Sequence, residues 1–153
     1  MNYWLSKGAP KHKLVVGIPT YGRSWTLSSS HTLPGSSASG PGSAGPFTRE
    51  SGFLGYNEIC LNIKNRSWTV VQDPTLKMGP YAFKENQWVG YDDPAMASVK
   101  AKYIMDNDLG GAMFWDVSTD DFDNQCGDGK YPIISTVKRT VESSNCSGIK
   151  LPF

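Results

Sequence analysis

The sequence predicts an α/β chain: two parallel strands, joined through a crossover helix, with a small inserted α+β block. Three observations lead there. Residues 13–19 (KLVVGIP) are a short continuous apolar run, as a strand buried on both faces requires. Residues 110–122 (GGAMFWDVSTDDF) hold a second such run, opened by two glycines and turning acidic after Trp115. Just before it, Asp92-Asp93-Pro94 carries the marks of a helix start, an acid at the cap and proline in the first turn. A strand, a crossover helix and a parallel strand make a right-handed βαβ unit.

Taken in order, Trp4 and Leu5 read as the end of a helix stopped at Gly8-Ala9-Pro10. The first strand follows, then Tyr21-Gly22-Arg23-Ser24-Trp25. Residues 31–46 are rich in Gly, Ser and Pro and read as loop. Residues 47–60 mix aromatics with Gly52 and Gly55 and form part of a block of short strands. Residues 68–73 (WTVVQD) alternate as a strand does, and residues 80–83 and 87–91 flank Lys84-Glu85-Asn86 as a hairpin. Met96, Val99, Tyr103 and Ile104 mark one face of the crossover helix, which Asp108 and Gly110 end. A last helix starts at Tyr131-Pro132, with Ile133, Ile134, Val137 and Val141 on one stripe and a polar tail beyond Ser143. The expected division is a parallel unit over residues 1–24 and 91–145, an inserted α+β subdomain over 25–90, and a flexible tail over 146–153.

Lys and Arg number 15 against 14 acids, which leaves no electrostatic footprint for nucleic acid or an acidic membrane surface. No apolar stretch approaches the ~20 residues that a bilayer-spanning helix needs, and the N-terminus has no apolar signal core. Three cysteines allow one disulfide and leave one thiol. Asn65-Arg66-Ser67 and Asn145-Cys146-Ser147 are glycosylation sequons, so Asn65 and Asn145 are candidate acceptors. With cysteines in loop-rich sequence, they point to a secreted protein.

Trp115 is the residue of greatest chemical interest. It stands where a buried parallel strand meets solvent, the end at which α/β barrels bind ligands. An indole beside carboxylates suits a sugar, with its apolar ring faces and polar rims; the competing reading is a structural tryptophan at a strand end. Residues 40–45 satisfy GxGxxG on paper but lie in a Pro/Ser loop, not between a strand and a helix. His12 and His31 have no partners at metal spacing. No cofactor and no metal are indicated.

These residues resemble the C-terminal part of family 18 glycoside hydrolases, the animal chitinases and chitinase-like lectins. The resemblance lies in YWLSKGAPKHKLVVGIPTYGRSWTL, GPFTRESGFLGYNEIC, PYAFKENQWVGYDDPAMASVKAKYI, LGGAMFWDVSTDDF and the KYPII helix start. It implies part of a (β/α)8 TIM barrel, with residues 14–18 and 111–115 as strands seven and eight and the block between as the chitin-insertion subdomain. It implies chitin or chitooligosaccharide as ligand and a Cys60–Cys126 disulfide. By the same resemblance Trp115 is the aromatic floor under the sugar, and the Trp115–Asp116 peptide is cis. Tyr21 and Arg23 hydrogen-bond the substrate, Glu50 stands on the insertion wall, Met113 packs beneath the site, and Phe53 lines the cleft. The competing readings are a core ring for Tyr21, a surface ion pair for Arg23 and a solvated loop acid for Glu50. Trp68 reads as core; Trp25 and Trp88 stay open between core and sugar platform.

The family's catalytic run, D-x-x-D-x-D-x-E, does not occur in the chain. Its glutamate protonates the leaving oxygen, while the substrate's own acetamido group acts as nucleophile. Asp116, Asp120, Asp121 and Asp123 form an acidic cluster without that glutamate, and none of Glu50, Glu58, Glu85 and Glu142 matches it. The chain is therefore expected to be part of a larger chitinase or chitinase-like protein and not to cleave chitin alone. The missing N-terminal barrel portion is an expected partner, because two barrel strands by themselves leave open edges.

Overall fold

In the computed structural model, which describes residues 1–145, the chain builds two sheets and four helices. In chain order these are α1 (Asn2–Ser6), β1 (Val15–Pro19), β2 (Tyr21–Leu27), β3 (Ala38–Pro41), β4 (Phe53–Gly55), α2 (Tyr56–Arg66), β5 (Thr69–Val71), β6 (Tyr81–Lys84), β7 (Gln87–Gly90), α3 (Pro94–Asp106), β8 (Gly111–Trp115) and α4 (Pro132–Asn145). The expected tail over residues 146–153, with Cys146, lies outside the described residues.

β1 and β8 pair in parallel, from Val15 opposite Gly111 to Pro19 opposite Trp115. Because side chains alternate along a strand, Val16, Ile18, Ala112 and Phe114 face the helices and join the core. Val15, Gly17, Met113 and Trp115 face the other way and are exposed. α3 packs on both strands and on α4. Its start follows the sequence: Asp93 accepts the Met96 N–H at 2.8 Å, and proline fills the first turn. Its buried face differs from the expected one. Met96, Ala97, Ala101 and Ile104 are buried while Tyr103 stands in solvent, since the two alanines let α3 approach its neighbours closely.

The second sheet is antiparallel, ordered β3-β2-β7-β6-β5, with β4 pairing the first half of β2 on the edge that β3 takes further along. β2 starts only one residue after β1 and lies wholly in this sheet, so it runs across the expected 24/25 division. The β6–β7 hairpin turns at Glu85-Asn86, with Glu85 at φ 53°. Where sequence reading saw no helix, α2 buries Tyr56, Ile59 and Cys60. Gly22 permits the close approach: a Cβ there would come within 2.8 Å of the Ile59 Cδ1 and 2.6 Å of the Val89 Cγ2. Ile18, Leu54, Ile59, Ala82, Val89, Ala101 and Ile133 belong to one continuous core, which runs beneath both sheets. Trp68 packs against it as expected.

Cys60 on α2 and Cys126 in the loop after β8 are joined by a disulfide, with Cα atoms 6.0 Å apart. It ties the α2 side of the molecule to the loop that follows the parallel pair.

Candidate functional site

The β-register assembles the site. Tyr21, Arg23 and Trp25 alternate onto one face of β2. Across the sheet, Phe53 stands opposite Arg23, Trp88 opposite Trp25, and Phe83 opposite Trp88, with Tyr81 two residues before Phe83. The result is an aromatic face over four strands. Tyr21 and Phe53 stack with ring centroids 4.6 Å apart, and Tyr81 and Trp88 stack at 5.5 Å. The opposite face of the same strands, with Gly22, Leu54, Ala82 and Val89, is the one that α2 covers.

The Arg23 guanidinium lies 5.3 Å from the Tyr21 centroid and 5.2 Å from that of Phe53, within cation–π range of both rings. Its Nη1 stands 4.0 Å from a Glu50 carboxylate oxygen, and both side chains remain largely in solvent. Four predicted residues, Tyr21, Arg23, Glu50 and Phe53, thus meet in one cluster. Arg23 and Glu50 fit the competing ion-pair reading as well; an exposed pair of this kind stabilises the fold by at most about 1 kcal/mol, so its donors and acceptors stay available to a polar ligand.

Trp115 is 64% exposed and Met113 47%, side by side on the open face of β8. Trp115 is opposite Pro19, two residues before Tyr21, and its carbonyl accepts the Thr20 N–H at 3.1 Å. The Trp115–Asp116 peptide is cis. Asp116 is committed to its own turn, accepting from the Ser118 N–H at 2.9 Å and the Thr119 N–H at 3.2 Å. Asp120 and Asp121 are buried and structural. Asp120 accepts the Ile134 N–H at 3.1 Å at the start of α4, and Asp121 accepts the N–H groups of Gln125 and Cys126, each at 2.9 Å. Burial pushes the Asp120 carboxyl above the usual carboxylate range, against the opposing pull of those amide donors.

A hollow of about 410 Å³ lies beside the cluster, lined by Tyr21, Arg23, Met78, Tyr81, Trp88 and Asp92 among others. Trp115, Glu50, Phe53 and Met113 are not among its lining residues. Sequence reading missed Tyr81, Met78 and Asp92 and left Trp88 open; the signal was the period of two in PYAF and QWVGY, which sets Tyr81 and Trp88 on the face of Arg23. Trp88 is also pinned from its far side, its indole N–H donating to the Thr32 carbonyl at 3.0 Å. Met78 is held by the Asp73 turn, where Thr75, Lys77 and Met78 donate and lower the Asp73 carboxyl to about 2. Asp92 pairs with Lys100, and burial still raises its carboxyl above the ordinary range. Among the described residues, Cys60, Asp121 and Cys126 bring ligand atoms within 4.8 Å of one another. The two sulfurs are spent on each other and the carboxylate on backbone amides, so the group is a built turn rather than a metal site. Asn65 is exposed at the end of α2; the Asn145 side chain lies outside the described residues.

The family model for glycosyl hydrolases family 18 matches residues 1–120. The chain belongs to this family. Human chitinase-3-like protein 2 is 49% identical over 144 residues, which are 94% of this chain and 36% of that protein. The crystal structure of Ostrinia furnacalis Group II chitinase catalytic domain 2 superposes with a TM-score of 0.90 at 41% identity, over 99% of this chain and 39% of that one. Human YKL-39, described as a pseudo-chitinase with retained chitooligosaccharide binding properties, superposes with a TM-score of 0.86 at 46% identity, over 92% of this chain and 38% of that one. The chain therefore spans less than two fifths of these relatives. The fold is α/β, as in family 18 chitinase structures.

Proposed function

We propose that this chain is the C-terminal part of a family 18 chitinase and supplies one wall and the floor of its chitooligosaccharide cleft. In this reading β1 and β8 are the last two strands of a (β/α)8 barrel, and residues 25–90 are the chitin-insertion subdomain. The observation that carries it is the open aromatic face: Tyr21 stacked on Phe53 with Arg23 over both, Glu50 at its side, and a largely exposed Trp115 nearby at the carboxyl end of β8. Flat apolar rings interleaved with charged and polar groups match the alternating surfaces of an N-acetylglucosamine chain. Trp115 stacks under one sugar ring, Tyr21, Arg23 and Glu50 bond its polar rim, and Phe53 and Met113 give apolar lining. The remaining barrel portion covers the exposed face of β1 and β8 and brings the acid that this chain lacks. The disulfide suits an oxidising, extracellular setting, with Asn65 and Asn145 as glycan acceptors.

A non-catalytic, lectin-like parent is the second reading, supported by the similarity to YKL-39. Protonation of the leaving oxygen needs a donor within about 3 Å, and the sequence holds no D-x-x-D-x-D-x-E run. The isolated chain is expected to show no turnover of a fluorogenic chitobioside; measurable hydrolysis would contradict the assignment. In the full-length parent the same assay separates chitinase from lectin.

A further inference from the structure

A hollow of about 400 Å³ lies between the end of α2 and the β6–β7 hairpin, lined by Asn65, Arg66, Trp68, Lys84, Glu85 and Gln87. It shares no residue with the hollow at Tyr21 and Arg23. Its walls come from distant parts of the chain and are fastened in place. The Lys84 Nζ donates to the Arg66 carbonyl at 2.8 Å, which ties the hairpin to the end of the helix. The Gln87 side chain accepts from the Ser43 N–H at 2.8 Å and donates to the Thr26 hydroxyl at 3.1 Å. Trp68 rests partly buried against the core and also lines the hollow.

The sequence supplies the pointer to a ligand. Asn65-Arg66-Ser67 is an N-glycosylation sequon, and its acceptor is one of the lining residues. α2 ends at Arg66, and Ser67 turns away from it at φ 56°, so the sequon sits at the open end of the helix with Asn65 and Ser67 both exposed. Among the described residues, no protein group holds the Asn65 amide or the Ser67 hydroxyl. A sugar joined to the Asn65 Nδ2 therefore starts in the hollow. An open hollow holds a free sugar poorly, but a short tether raises the local concentration to about the millimolar range, where weak contacts suffice. The lining fits N-acetylglucosamine. The indole takes an apolar sugar face, the Glu85 carboxylate accepts from a hydroxyl or the acetamido N–H, and the Arg66 guanidinium donates to the acetamido carbonyl.

We propose that Asn65 carries an N-linked glycan whose first N-acetylglucosamine seats in this hollow against Trp68 and clamps the end of α2 to the β6–β7 hairpin. This rests on the extracellular setting given above. In the attachment the Asn65 Nδ2 bonds to C1 of the sugar and gives up one proton. The bond from C1 to the pyrophosphate oxygen of a lipid-linked oligosaccharide donor breaks, and the pyrophosphate leaves with the electron pair; nothing is oxidised or reduced.

The test is secretion of the full chain from cultured eukaryotic cells behind an added leader peptide, followed by trimming with an endoglycosidase that leaves one N-acetylglucosamine. Mass spectrometry is expected to find that sugar on the Asn65 peptide, and NMR to show NOEs between its ring protons and the Trp68 indole. Relative to unglycosylated Asn65→Gln, amide exchange at Trp68, Lys84 and Gln87 is expected to slow by at least about threefold. Ser67→Ala, which keeps Asn65 but breaks the sequon, should match Asn65→Gln. Trp115→Ala should leave the sugar and its NOEs in place, which separates this seat from the carbohydrate surface proposed above. Secreted protein with the Cys60–Cys126 disulfide formed and Asn65 bare would overturn the proposal while leaving the extracellular setting intact. A sugar at Asn65 with no NOE to Trp68, or with exchange equal to that of Asn65→Gln, would overturn it as well.

Discussion

The two sheets handle exposed apolar side chains in opposite ways. In the parallel pair, Val15, Met113 and Trp115 stand exposed on one face, and among the described residues each strand has one edge without a pairing partner. In the antiparallel sheet four of the outward aromatics are fixed by one another: Tyr21 on Phe53, with Arg23 above, and Tyr81 on Trp88, with the Thr32 carbonyl accepting from the Trp88 indole, while Trp25 stays exposed. The larger sheet is thus organised on both faces, one by α2 and one by its own rings, whereas the parallel pair is organised on its helix face alone. A surface that orders itself in this way suits ligand contact; an open apolar face suits burial against more protein.

The comparison can be broken first at its joint. The disulfide spans 66 residues and couples α2 to the loop after β8. Cys60→Ala with Cys126→Ala is expected to cost about 4 kcal/mol in the chain-entropy model, read as a lower urea midpoint; an unchanged midpoint would mean that the two regions do not share one unfolding transition. Glu58→Ala acts next. It strands the N–H groups of Phe47, Thr48 and Gly55 that the carboxylate now accepts, at an expected cost of about 3 kcal/mol. Hydrogen exchange should speed up across residues 45–55 while the β1–β8 amides keep their protection; uniform acceleration would deny the larger sheet its separate organisation.

Much of this contrast was legible in the sequence, and the reasons are local. The strands at Val15–Pro19 and Gly111–Trp115 announce themselves as apolar runs, α3 by Asp93-Pro94, and the β6–β7 hairpin by the polar Lys84-Glu85-Asn86 between two aromatic segments. α2 was not legible. Its N-cap is Gly55, whose signal is not a side chain but the reach of Glu58 back to the Gly55 N–H at 2.9 Å, and its buried residues include Asn57, Glu58 and Asn62, polar types that hide a helical stripe. In the candidate site, Tyr21, Arg23, Glu50 and Phe53 came by resemblance and the structure draws them together. Tyr81 and Trp88 carried a signal in the period of two of their segments, but the cross-strand register was needed to set them beside Arg23, and Met78 and Asp92, outside the strands, carried none.

A smaller effect separates the two regions by pH. Burial raises the Asp120 carboxyl, so folding takes up a proton between its unfolded value, about 3.9, and the raised one. Its contribution is present below the unfolded value and is lost as pH rises through the folded one. Asp120→Asn should flatten that decline in urea unfolding followed upward from about pH 4, and the effect is small because its amide donors offset the burial. An unchanged slope would place the titration elsewhere. Trp115→Ala, at a largely exposed ring, should move the unfolding midpoint least, by under about 0.5 kcal/mol.

That near-neutrality makes Trp115 the cleanest probe of the carbohydrate surface. Calorimetric titration of chitohexaose into the chain, native against Trp115→Ala and Tyr21→Ala, is expected to show weak saturable binding that each substitution lowers by about tenfold, the loss of one large aromatic contact surface. Equal affinity in all three proteins, or no saturable binding in the native chain, would contradict the assignment of the aromatic face and Trp115 as a sugar-binding surface.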